Sequence, residues 1–152
     1  MEHFVFIVLF TLIHAFAYTV AGATALRISP DMYREKGRVL DYLRDMSDDT
    51  ESVHVTKWFL PAQLVRGVLM AIVLLPIAGL LGDISFLARF AFFAGILIIY
   101  ADFASAVPFN GNIEGFVYMK PRYLASHKTW KLYVETVMYA ILVAALASLL
   151  FL

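Results

Sequence analysis

Ionisable side chains inside long apolar runs are the residues of this sequence best suited to chemistry, because a charge in hydrocarbon is costly and needs a partner or a task. Arg66 and Asp102 are the clearest pair. Arg66 lies about 17 residues before the short turn at Asp83 and Asp102 about 19 after it, so at 1.5 Å per residue their depths differ by only about 3 Å. That register allows an ion pair across a helical hairpin, which is the plain structural reading. The functional reading gives Arg66 an anionic group to hold and makes Asp102 or Glu135 an acid or base.

Further polar groups recur at helical spacing. Thr11, His14, Tyr18 and Gly22 follow one another at intervals of three and four, forming one polar and small-residue stripe. Lys131, Glu135 and Tyr139 repeat at i, i+4 and i+8, which sets Lys131 and Glu135 to pair along a helix. Tyr18, Arg66, Asp102, Glu135 and Tyr139 all fall in the half of the apolar segments nearest the two long polar loops, with His14 near mid-depth. If their faces converge, they line one binding pocket. Packing with interhelical hydrogen bonds accounts for each stripe equally well. The opposite half carries little besides Asp83 and Arg89, which argues against a continuous aqueous channel through one chain.

The elements that must position these groups are read from hydropathy. The chain has 152 residues, 62% hydrophobic and 16% charged, where soluble domains are about a quarter charged. The apolar residues fall in four blocks, at about 4–26, 61–81, 86–107 and 130–152, each long enough to cross a hydrocarbon core of roughly 30 Å. The expected fold class is therefore an all-α integral membrane protein, a single-domain bundle of four transmembrane helices. The first block reads as a retained helix and not a signal peptide, since Met1-Glu2-His3 supplies no basic n-region and the apolar run is too long. Pro76 predicts a kink in the second block.

Between the first two blocks lies the one long polar stretch. Ser29-Pro30-Asp31 has the chemistry of a helix start. Met32, Leu40, Leu43 and Met46 recur among charged residues, predicting an amphipathic interfacial helix over about 29–47, ended by Asp48-Asp49-Thr50-Glu51 and followed by a connector to Trp58. The loop 108–129 contains a turn signal at Asn110-Gly111 and an apolar, aromatic stretch from Ile113 to Met119 that is too short to span and should fold back at the interface. Lys120, Arg122 and Lys128 beside tyrosines are candidates for holding a lipid headgroup phosphate, against the background of ordinary basic residues near anionic lipid. Small residues at Ala91 and Gly95, and at Ala140, Ala144 and Ser148, mark expected helix contacts.

Lys and Arg crowd the first and third loops (Arg27, Arg34, Lys36, Arg38, Arg44, Lys57; Lys120, Arg122, Lys128, Lys131), while the ends of the chain carry none. The positive-inside rule then puts both termini on the non-cytoplasmic side, in what is expected to be a bacterial inner (plasma) membrane. A net charge of zero excludes nucleic-acid binding by bulk electrostatics. Cysteine is absent, removing thiolate nucleophiles and cysteine-ligated metals, and the four histidines are too scattered to suggest a metal site; no cofactor is expected.

As topology alone, the layout over the whole chain resembles the MAPEG group of glutathione-linked membrane enzymes, which are four-helix trimers. In that family an arginine of the second helix is followed at short spacing by asparagine and glutamate. Here Arg66 is followed by Gly67-Val68-Leu69-Met70-Ala71-Ile72, so glutathione binding is not carried over. The paired intramembrane aspartates of lipoprotein signal peptidases, voltage-sensor arginine repeats and paired heme histidines are absent as well. Two readings follow. One is an oligomeric or accessory subunit of a membrane transport or envelope complex, with lipids and partner subunits or further copies as its partners. The other is a lipid- or small-molecule-handling enzyme or carrier whose pocket opens to the cytoplasm. No motif commits the chain to catalysis.

Overall fold

The computed structural model describes residues 3–34, 38, 40–124 and 126–151, and the side chains of 126–129 lie outside that description. Among the described residues the structure is all-helical, without strands, and four helices are long and apolar enough to cross a membrane. The first is α1 (His3–Ile28), which meets its first charge only in its last turn, at Arg27. The hydroxyls of Thr19 and Thr24 donate to the carbonyls four residues back, at 2.7 and 2.9 Å, which hides them from the apolar surroundings.

The second long helix starts well before its apolar block. α3 (Asp49–Leu74) is capped by the Asp48 carboxylate, which accepts from the N–H groups of Thr50 and Glu51 at 2.9 and 3.0 Å. The acidic run expected to end a helix therefore begins one, because carboxylates satisfy the free N–H groups and the positive dipole end of a helix start. The expected connector to Trp58 is helical throughout. At Pro76 the chain tightens into a 3-10 turn (Leu75–Ile77) and resumes as α4 (Ala78–Asp83). Two residues later Ser85 caps α5 (Phe86–Gly95), its Oγ accepting from Ala88 N–H at 3.3 Å.

The third long helix changes character half-way. Ile96–Phe103 forms a π-helical segment, closed by a bond from Ala104 N–H to the Ile99 carbonyl at 2.7 Å, and it ends short of the expected 107. π segments are rare and concentrate at functional sites. The loop beyond it holds α6 (Ile113–Tyr118), and α7 (Ser126–Leu149) completes the bundle.

Among the described residues of the expected amphipathic helix over 29–47, the helical part is α2 (Pro30–Tyr33). Arg34 is extended, and turns occupy 40–43 and 46–47; Glu35, Lys36, Gly37 and Val39 lie outside the described residues. The reason lies in the Arg38 guanidinium. It meets the Asp45 carboxylate at 3.2 Å and donates to the carbonyls of Asp41 and Leu43 at 3.3 and 2.8 Å, giving those carbonyls a partner other than a helical N–H. Met32 and Leu40 then bury together against Leu132 of α7.

Close packing runs α3 on α1, α1 on α7 and α7 on α5. The second and third long helices, adjacent in sequence, are not one of these closely packed pairs, so they form no zipped hairpin. Small residues set the α1–α3 and α7 contacts: a Cβ on Gly67 would meet Thr11 Cα at 2.9 Å, and Ala140, Ala144 and Ser148 are fully buried. Ala91, by contrast, is exposed, and Gly95 has open space around it. At the end nearest the 84–85 turn, Phe6, Phe10, Phe93 and Phe151 stack in tilted pairs, 5.7–6.1 Å apart.

Candidate functional site

The residues singled out in the sequence meet at the loop-bearing end of the bundle. Tyr18 from α1, Arg66 from α3, Asp102 from the π segment and Glu135 with Tyr139 from α7 line one cavity of about 370 Å³. Tyr33 of α2 and Asn110 of the third loop contribute to its wall. The two long loops touch each other beside it, Tyr42 meeting Tyr123 and Phe109 edge to face at 5.3 and 6.2 Å.

His14 supports the cavity from beneath. Its Nδ1 is 2.7 Å from the Tyr139 hydroxyl and its Nε2 is 3.2 Å from Gln63 Oε1. A carbonyl oxygen only accepts, so Nε2 carries the proton and Nδ1 accepts from Tyr139. Gln63 and Arg66 sit three apart on one face of α3; the first orients the imidazole and the second extends toward the cavity. Gln63 carries no signal in the sequence beyond its spacing of three from Arg66.

Arg66 and Asp102 face the same space without pairing. Among the described residues the ion pairs are Arg38–Asp45 and Lys131–Asp31, and neither Arg66 nor Asp102 has an ion-pair partner. The guanidinium instead lies over the rings of Tyr18 and Tyr139, 5.3 and 6.0 Å from their centroids, a cation–π arrangement. The expected hairpin ion pair fails because α3 and the third long helix are held apart, each packed on another neighbour.

Lys131 and Glu135 do not pair along α7 either. Lys131 Nζ reaches Asp31 at 2.7 Å, and Glu135 accepts from the Tyr33 hydroxyl at 2.7 Å. Both partners lie on α2, so the first loop is latched to the fourth long helix by two side-chain contacts flanking the buried Met32. Burial, then the nearby Glu135 carboxylate, pushes the Tyr33 phenol above its ordinary range and keeps it a donor.

Two of the three basic candidates for a headgroup, Lys120 and Arg122, do not line this cavity. Lys120 and Arg122 are exposed beyond α6, where the Arg122 guanidinium lies over the Tyr123 ring at 4.6 Å. The side chain of Lys128 lies outside the described residues. The third loop is tied down by Asn112: its Oδ1 accepts from Phe109 and Gly115 N–H at 3.0 and 2.7 Å, and its Nδ2 donates to the Val107 carbonyl at 2.7 Å. Gly111, with φ of 98°, supplies the left-handed turn expected of Asn110-Gly111.

Arg89 is the residue whose role the sequence hid. It is 3% exposed, donates to the carbonyls of Leu81 and Phe151 at 3.1 and 3.2 Å, and lies over the Phe151 ring. It joins the end of the second long helix to that of the fourth at the pole opposite the cavity, a favourable place for a cation near helix C-termini.

No protein-family model matches this chain, and no match is found among curated proteins or solved structures. The cavity offers a guanidinium laid over two tyrosine rings, a carboxylate without an ion-pair partner among the described residues, a second carboxylate held by a tyrosine, and an aromatic wall. That set suits binding a polar group of mixed charge.

Proposed function

We propose that this is a membrane protein that binds a lipid or small polar molecule in the cavity at its loop-bearing end, as a carrier or an enzyme. The observation supporting this most directly is the convergence of Arg66 and Asp102 on one cavity without an ion pair between them. Arg66 is exposed and Asp102 half-buried at the mouth of this space, so both charged groups are open to an incoming polar molecule. In this reading the loop-bearing end faces the cytoplasm of a bacterial inner (plasma) membrane and both termini lie outside, as the Lys and Arg bias of the first and third loops favours.

The test is co-purification. Native mass spectrometry of the full chain in mild detergent should show a bound small molecule or lipid that Arg66→Gln and Asp102→Asn release, with the thermal midpoint of each variant near wild type. Retention by both variants would overturn the reading.

A second reading, an oligomeric or accessory subunit, draws on the second and third long helices, which bury the least of themselves within the chain. Their outward faces, with Val65, Leu69, Val73 and Leu87 exposed, would suit other subunits as well as lipid. The same mass spectra give the oligomeric state. A monomer with no bound partner counts against it.

A further inference from the structure

The polar cavity does not stand alone. A second, largely apolar groove of about 620 Å³ runs beneath α6, walled by Phe103, Ile113, Phe116, Leu124 and Trp130. Asn110 and Tyr133 line both spaces, so the groove begins where the polar cavity ends. The side chains around the two differ in kind. Arg66, Asp102 and Glu135 belong to the cavity, whereas among the described residues no charged side chain lines the groove. At about 30 Å³ per water, the cavity has room for roughly a dozen waters and the groove for roughly twenty.

A charged compartment continuous with an apolar one is the negative of an amphiphile. We propose that the occupant is a single zwitterionic phospholipid with a primary ammonium headgroup, its phosphate on Arg66, its ammonium on Asp102, and one acyl chain in the groove under α6. This rests on the ligand-binding reading above and adds to it the class of ligand and the place of its chain. The phosphate assignment follows from the planar guanidinium, which matches phosphate geometry and is held in place by two tyrosine rings. The ammonium assignment follows from the Asp102 carboxylate, which has no ion-pair partner among the described residues. The groove explains why α6 leaves Phe116 79% and Ile113 48% exposed while Asn112 and Gly115 beneath them are buried and tightly bonded: the helix is fixed by its backbone and leaves its aromatic and branched side chains for a chain to lie along.

The experiment is a native mass spectrometry titration of the full chain in mild detergent with phosphatidylethanolamine, phosphatidylcholine and phosphatidylglycerol of identical chains. Phosphatidylethanolamine should bind at least tenfold tighter than phosphatidylglycerol, with phosphatidylcholine between them. Arg66→Gln and Asp102→Asn should each lower phosphatidylethanolamine affinity about tenfold. Ile113→Trp, which fills the groove from an exposed position, should do the same, as should Phe116→Ala, which removes one of its walls. Val117→Trp, on the same short helix but outside the groove, should leave affinity unchanged. Loss in the cavity variants with none in the groove variants overturns the chain assignment and leaves the ligand-binding reading standing. Equal binding of phosphatidylglycerol overturns the zwitterion assignment. Phosphatidylethanolamine binding indifferent to every variant marks only annular lipid and overturns both.

Discussion

The Tyr33 hydroxyl donates a 2.7 Å hydrogen bond to Glu135 across 102 residues of sequence, and with it the first loop closes one side of the cavity. Four residues earlier on α7, Lys131 holds Asp31 at 2.7 Å, so the single turn of α2 is stitched to two successive turns of α7. The latch and the cavity wall are one structure, so disturbing the first should be felt in the second.

Tyr33→Phe keeps the packed ring and deletes the bond. It should cost about 1 kcal/mol and raise hydrogen exchange over residues 40–48, with α1 unaffected. Because the folded phenol titrates above its ordinary value, its contribution is complete below about pH 10 and is lost as pH climbs through the raised value. The alkaline loss of loop protection should therefore be smaller in Tyr33→Phe than in wild type. An identical profile in the two proteins would sink this account.

The Lys131–Asp31 pair is partly exposed, with 19% and 33% of its side-chain surfaces open. Asp31→Lys alone should destabilise the loop by about 0.5–1 kcal/mol, since like charges then face each other. Adding Lys131→Asp should recover most of that in a thermal melt. A double variant no better than the single one would show that the contact is incidental.

Arg66 and Asp102 should behave in the opposite way. With no ion pair between them, exchanging the two residues should not restore the ligand retention that each single variant loses. Full recovery of retention in the exchanged protein would restore the simple ion-pair reading.

Gly115 and Gly95 give a paired test of the third loop. A Cβ on Gly115 would lie 1.8 Å from the Phe109 carbonyl oxygen, whereas Gly95 has nothing within 4 Å. Gly115→Ala should displace α6 and expose the 105–119 segment to protease, with a loss of 2 kcal/mol or more on the order of a forced backbone shift. Gly95→Ala should be silent or slightly stabilising.

Arg89 should matter for stability and not for binding. Arg89→Leu leaves the Leu81 and Phe151 carbonyls without their donor and should cost about 1–3 kcal/mol, lowering the thermal midpoint. Any ligand at the far pole should remain bound in the spectra of the surviving folded protein.

How much of this was legible beforehand varies with the physics involved. Apolar length is a property of the chain, so four long apolar helices were readable from composition. Depth is nearly so, because rise per residue is constant in an α-helix; that is why Tyr18, Arg66, Asp102, Glu135 and Tyr139 could be assigned to one end. Helix boundaries were less legible. Asp48 and its neighbours read as a stop and act as a start, and Arg38 gave carbonyls of the first loop partners outside any helix.

What the sequence by itself determined is therefore the number of long apolar helices and the end of the bundle at which the polar groups gather. Direction around each helix axis was left to the tertiary structure. The 3.6-residue period that predicts a face breaks down through the π segment of 96–103, where bonds reach one residue further, so the aim of Asp102 is not countable from the sequence. Which helices touch is equally non-local: α3 packs on α1 and the third long helix on α7, and this arrangement keeps Arg66 and Asp102 from pairing. The same packing brings Lys131 and Glu135 to α2 and Arg89 to two helix ends. Side-chain partners depend on distances set by every other contact in the fold, and spacing along one chain does not contain them.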